Sequence, residues 1–356
     1  MSELFISESR ARLRTLLAMG YALFIAYVSL SPFSDWREQG LDFTEVLRMP
    51  LMLTFTLFDT VLNVLAYIPF GLLVGLALRA RFTASVSLIM TVVCGVALSA
   101  GMEYLQMYLP ARISSNLDIL SNSAGTLIGA ILAVSISSWT WFHMCLRQWR
   151  SSLFHHGKEM DFGLALLVLW SFGQINPSLP MLGNVFITEP VREPFVSTVP
   201  EPFGWWASIA VTLNLLMLGA LLATLLRTPR RVVTIILAVL SLVALVKFVA
   251  AAVLLKSWAL LLWINGEAML GMLLGVTMLI SVFWLPRQVT IRAGAAVCIA
   301  YFIIVNFVVD TNTPAAAMSI YHWHYRHLLN FNGLAQTLTM IFPLLLLFHL
   351  WRIRDI

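Results

Sequence analysis

Residues 103–129 read EYLQMYLPARISSNLDILSNSAGTLIG, and the stretch sets five polar or charged side chains at ordered spacings between two apolar runs. Glu103 and Gln106 are three apart, so a helix carries them on one face. Pro110 ends that helix and Arg112 falls in the turn. Asp118 and Asn122, four apart, share a face of the next helix, which runs on into Gly125 and Gly129, a small-xxx-small pair suited to close helix packing. The spacing predicts two apolar helices joined by a short polar turn.

Working outward, the composition places that hairpin in a bilayer. Of 356 residues, 60% are hydrophobic and only 11% charged, against roughly a quarter charged in soluble domains. The apolar runs are continuous, without the period of two that a membrane barrel requires, so the fold class is an all-α polytopic membrane bundle. About ten spans of roughly 17 to 25 residues are expected, near 14–31, 57–78, 83–107, 117–138, 161–179, 204–226, 232–254, 258–284, 291–309 and 333–351. The first is read as a retained span, since it is too long for a signal-peptide core. Three cysteines, Cys94, Cys145 and Cys298, show no disulfide or metal spacing.

Lys and Arg divide unevenly between alternate loops of this layout. Of the 22 in the chain, fifteen fall on one side, six on the other, and Lys247 lies within a span. The positive-inside rule makes the richer side cytoplasmic, with both termini there. The net charge of +5 therefore calls for no nucleic-acid partner. The 103–129 turn then faces outward, as does the start of the second span, where Asp59 and Asn63 again stand four apart. Asp59, Asn63, Glu103, Gln106, Arg112, Asp118 and Asn122 are expected at one depth on three neighbouring helices, and polar groups in a bilayer turn toward one another or toward a wet cavity.

The chain also echoes itself. AYVSLSPF at 26–33 resembles LWSFGQINPSL at 169–179, VLNVLAYIPFGLLVGLALR at 61–79 resembles TLNLLMLGALLATLLR at 212–227, and Gly125 with Gly129 parallels Gly271 with Gly275. We read two parallel four-helix repeats and a C-terminal helix pair, with domains at 1–150, 151–287 and 288–356. The second copy lacks the polar set but holds Lys247 and Glu267, each counted roughly 13 Å inside the outer end of its span, and an intramembrane ion pair is expected of them. His322, His324 and His327 alternate with aromatics in an outer loop, the pattern of an interfacial belt rather than of a metal site. The loop 181–203, with Pro190, Pro194, Pro200, Pro202 and Glu189, Glu193, Glu201, is expected to be an outer lid or partner surface.

At 103–129 the sequence resembles the VanZ-like family of bacterial integral membrane proteins. Its signature runs E-x-x-Q, then P-G-R, then Asp six residues after the Arg and Asn four after that, leading into a glycine-rich span. Glu103, Gln106, Pro110, Arg112, Asp118, Asn122, Gly125 and Gly129 match it; Ala111 replaces the usual Gly, and Ser115 stands where Asp is frequent, which removes an acidic ligand. The resemblance covers roughly residues 14–138. It implies a protein of the bacterial cytoplasmic membrane linked to the cell envelope and, through the family's namesake, to glycopeptide (teicoplanin) resistance.

Three functions remain open on these residues. Arg112 between Glu103 and Asp118 can act as a clamp in a scaffold for envelope proteins. The same group can bind the headgroup of a lipid-linked glycan or peptidoglycan precursor, with Arg112 on a phosphate or carboxylate. Glu103 and Asp118 can serve as an acid and base toward an envelope lipid or glycan. No cofactor and no metal set is expected.

Overall fold

The structure is a computed structural model that describes residues 2–31, 33–40, 42–51, 57–187, 203–228, 231–282, 286–323 and 326–354. It is helical: α1 (Ser2–Leu30), α2 (Phe43–Arg48), α3 (Leu57–Leu78), α4 (Ala84–Gln106), α5 (Asn116–Ser138), α6 (Thr140–Leu153), α7 (Lys158–Gly173), α8 (Trp205–Leu225), α9 (Val232–Leu254), α10 (Gly266–Val282), α11 (Arg287–Ile303) and α12 (Arg326–Ile353). A π-helical turn at Ile304–Val308 extends α11, and a 3-10 helix covers Pro314–Ile320. Among the described residues there are isolated bridges but no strand. Two compact units divide the chain, Met1–Ser152 and Leu153–Ile356.

In the first unit α3 and α5 form the closest pair. A Cβ built on Gly71 would lie 2.2 Å from the Thr126 carbonyl oxygen, one on Gly125 2.2 Å from that of Val64, and one on Gly129 2.2 Å from that of Ile68. The two backbones therefore touch, as small residues allow in bilayers, where packing rather than hydrophobicity joins helices. Helix α4 covers α5, with Asn122 Nδ2 donating to Ser99 Oγ at 2.9 Å. Helix α1 lies on α3 through a small apolar cluster of Ile25, Tyr67 and Phe70. Two side chains of α1 donate to α3 carbonyls, Arg14 to Leu76 at 3.0 Å and Tyr21 to Ala66 at 2.8 Å.

The second unit is built around α8, whose residues are buried on nearly all sides, as expected of a helix apolar all round. Helices α10 and α11 pack on it most extensively, and α12 pairs with α7 and α11. Gly271 and Gly275 again face a preceding helix, meeting Ser208, Val211 and Leu215 of α8.

Among the described residues eight helices are long and apolar enough to cross a membrane, where ten spans were expected of the chain. The expected fifth and eighth spans are shorter helices, α7 with 16 residues and α10 with 17. Helix α7 stops at Gly173 because Pro177 lacks an N–H and disfavours helical geometry at Asn176. Helix α10 starts only at Gly266, since 257–265 are a 3-10 turn and irregular chain.

Candidate functional site

The polar residues of unit 1 collect at the end where α3 and α5 begin and α4 stops. Asn63 lies beside the Asp118 carboxylate, which is within electrostatic range of Asp59 and of Glu103. Asp59, Asn63 and Asp118 are half-buried, while Glu103 and Asn122 are buried, so the group opens at the α3–α5 side and closes toward α4. Among the described residues no three His, Cys, Asp or Glu side chains gather as a metal-ligand set.

Three of the expected site residues are turned to structural partners. Arg112 Nη2 donates to the carbonyls of Val28 and, at 3.0 Å, Ser31, and Gln106 Nε2 donates to Ser29 at 2.9 Å. These are carbonyls at the C-terminal end of α1, where the last four have no intrahelical partner. Glu103 Oε2 accepts from the Ser115 N–H at 2.8 Å, and Ser114 Oγ donates to the Glu103 carbonyl at 2.8 Å. Ser115 in turn caps α5, accepting from Leu117 N at 3.2 Å. Ser115, the departure from the family pattern, is thus used as a helix cap. The Arg112 guanidinium is in electrostatic range of Glu103 and is also hydrogen-bonded to the end of α1.

Tyr67 and Ser99 join the group, and sequence reasoning missed both. Tyr67, 4% exposed, turns its hydroxyl toward Ser99 without a well-formed hydrogen bond, and lies in the field of Glu103 and Asp118. Asn122 Oδ1 is likewise buried without a partner, although its amide is bound to Ser99. The signal was present: Asn63 and Tyr67, Ser99 and Glu103, and Asp118 and Asn122 are three four-residue pairs on three helices.

In unit 2 the expected ion pair gives way to two separate arrangements. Lys247, fully buried, donates from Nζ to the carbonyls of Gln174 at 3.0 Å and Pro180 at 3.4 Å. Those carbonyls belong to the irregular chain after α7, where Asn176, Ser178, Leu182 and Asn184 are also buried. Leu182 there adopts φ 62° and its carbonyl accepts from Asn214 Nδ2 at 2.9 Å. Glu267 Oε1 accepts from Gly204 N, the N-cap of α8, at 3.3 Å, a favourable place for a carboxylate at a helix N-terminus. The pairing fails because α10 begins eight residues later than the apolar run, so Glu267 sits in its first turn and not deep in a span. Exchanging the charges, Lys247→Glu with Glu267→Lys, is therefore expected to give no rescue. Thermal unfolding of the detergent-solubilised protein should show the double exchange no more stable than the sum of the single losses, within about 0.5 kcal/mol; a clear gain over that sum would restore the pair.

The segment after α7 is tied down by Asn332. Its Oδ1 accepts from Asn176 Nδ2 at 2.9 Å, Tyr321 Oη at 2.7 Å and Ser178 Oγ at 3.0 Å. Burial pushes the Tyr321 phenol up to about 12, which keeps it a donor at any ordinary pH. Of the three loop histidines, His322 is exposed and contacts Trp323; His324 lies outside the described residues, as does the side chain of His327. The Pro- and Glu-rich part of the lid, 188–202, lies outside them too.

The VanZ/LLP1 family model matches residues 4–139, which contain the whole of the polar group and its three helices. No curated protein and no solved structure matches the chain. With the matched region folded as a helical bundle that carries the signature residues at one end, the chain is a multi-pass membrane protein whose N-terminal unit is a VanZ-like domain.

Proposed function

We propose that unit 1 binds the polar headgroup of an envelope lipid or lipid-linked glycan, rich in hydrogen-bond donors, at the outer surface of the bacterial cytoplasmic membrane. The uneven division of Lys and Arg between loops supports that orientation, with both termini cytoplasmic. One observation carries the binding reading: Asp59, Asn63 and Asp118 stand half-buried at the edge of a group whose deeper atoms, Tyr67 Oη and Asn122 Oδ1, are buried without a well-formed hydrogen bond. Buried polar atoms are normally satisfied, so two orphans behind a polar opening suit a bound molecule or water. Ionised carboxylates only accept, so the ligand they suit presents hydroxyl or amine groups, as a sugar or a peptide amine does. Arg112 and Gln106 support the site from behind, by holding α1, instead of contacting a phosphate.

The test is retention of a lipid-linked disaccharide peptide by the protein in nanodiscs, read by native mass spectrometry. Asp118→Asn with Asn63→Leu is expected to cut retention by roughly tenfold, from loss of two or more hydrogen bonds to charged or polar groups. Tyr67→Phe, which removes only a hydroxyl, should cut it by a few-fold with unchanged thermal stability. Equal retention by the wild type and both variants would sink the reading. So would equal retention of a phospholipid with a choline headgroup, which donates no hydrogen bond.

A further inference from the structure

In unit 2, α11 begins and α12 ends side by side, and between them opens a cleft of about 420 Å³. Its rim carries Gln288, Arg292 and Arg354; its walls are Ile291, Ala295, Leu347 and Leu350. Both helices belong to the eight able to cross a membrane, the first running from Arg287 and the second to Ile353. The cleft thus sits where apolar span gives way to polar surface, its charged rim toward water and its apolar walls toward the bilayer. Trp351, more than half exposed, stands beside it at the level where tryptophan favours the interface.

The charge at this end is predominantly positive. Arg352 is met by Glu159 at 3.4 Å and rests over the Phe348 ring, and Arg354 stacks on Trp351 at 5.6 Å. Arg287 and Arg292 add two more guanidinium groups on the first two turns of α11. The His155 imidazole is held below its ordinary value, first by burial and then by Arg227 and Arg287. The smaller share owed to the two arginines is the effect of a positive field on a neighbouring base.

We propose that this cleft is a binding site for one anionic phospholipid, with Arg292 and Gln288 on its phosphate, Arg354 across the rim, and the upper part of an acyl chain against Ala295, Leu347 and Leu350. The volume falls within the range of small-molecule sites and holds a headgroup and the first methylenes, not a whole lipid. Basic clefts between membrane helices on the positive side of a protein suit such headgroups. Arginine is the side chain fitted to phosphate because its planar fork donates two parallel hydrogen bonds.

The full-length protein, delipidated in detergent and given back phosphatidylglycerol or phosphatidylcholine, provides the test. Native mass spectrometry is expected to show one phosphatidylglycerol retained and a raised unfolding temperature, with phosphatidylcholine doing neither. Arg292→Ala should lower retention roughly tenfold, the worth of one charge-assisted contact. Arg292→Lys should keep part of it. Ala295→Phe, which leaves every arginine in place and fills the cleft, should lower it as far as Arg292→Ala does. Equal retention of the two lipids, or retention unchanged in both Arg292→Ala and Ala295→Phe, overturns the proposal. Protection by glycerol phosphate as strong as that by phosphatidylglycerol also overturns it, since the acyl wall would then contribute nothing. Where Arg292→Ala fails to accumulate, Arg292→Lys and Ala295→Phe decide on the same readouts.

Discussion

Gly129→Leu is expected to leave almost no folded N-terminal unit in the membrane. Even the first carbon of a side chain at this position meets the Ile68 carbonyl oxygen at 2.2 Å and the Leu72 nitrogen at 2.6 Å, and both obstacles are backbone. Backbone cannot rotate aside as a flexible side chain can, so α3 and α5 must separate along their length. Overpacking a core costs about 1–3 kcal/mol where side chains yield, and more where they do not. Against a total stability of about 5–15 kcal/mol, separation of the tightest pair in the unit is close to complete loss. Gly125→Leu and Gly71→Leu should behave alike, for Val64 and Thr126 carbonyls stand in the same relation to them. Gly20→Leu and Gly101→Ala are the controls, because nothing lies within 4 Å of the new carbon at either place. Fluorescence-detected size exclusion of tagged protein extracted from membranes would report the result. A monodisperse Gly129→Leu protein at wild-type yield would show that the two backbones are not in contact.

The second large effect is expected of Arg112→Ala combined with Gln106→Ala. Together they leave the carbonyls of Val28, Ser29 and Ser31 without these donors at the end of α1. A buried acceptor deprived of its partner costs about 1–3 kcal/mol, and these three are part-buried. The double variant should therefore lose several kcal/mol, and α1 should come away from α3 and α4 before the rest of the unit unfolds. Arg112→Lys, a point charge without the fork, should fall between the wild type and Arg112→Ala. Thermal unfolding, together with cysteine accessibility at Ser29, measures both the loss and its place. Unchanged unfolding with Ser29 still protected would return Arg112 to the ligand-contacting role first read for it.

Much of unit 1 was legible because its polar residues keep helical spacing. Asp59 with Asn63, Glu103 with Gln106, and Asp118 with Asn122 could be placed on faces without knowing any tertiary contact, and the glycines announced a close approach. What the side chains would touch was less legible. Arg112 looked like the mate of two carboxylates, because a sequence displays side-chain charge but hides the unsatisfied carbonyls at a helix end. Tyr67 and Ser99 were overlooked for a related reason: tyrosine and serine are ordinary residues of a membrane helix, and only their position beside Glu103 and Asn122 sets them apart. In unit 2 the depth of Glu267 was counted from the edge of an apolar run that is not a helix until Gly266. Lys247 found its partners in irregular backbone, whose carbonyls carry no mark in the sequence.

The buried segment after α7 has a bearing on how the protein is made. Asn176 and Ser178 find their mate in Asn332, 156 and 154 positions further along the chain. Until the ribosome has delivered that asparagine, two polar residues wait in a half-assembled bundle with their final acceptor not yet synthesised. The helix pairs and caps described for unit 1, by comparison, join residues within the first 152 and can form early. Biogenesis should accordingly run in two stages, with a prompt first unit and a second that locks only when its last helix arrives, and the interval between them is where an insertase or quality-control protease would find its opportunity.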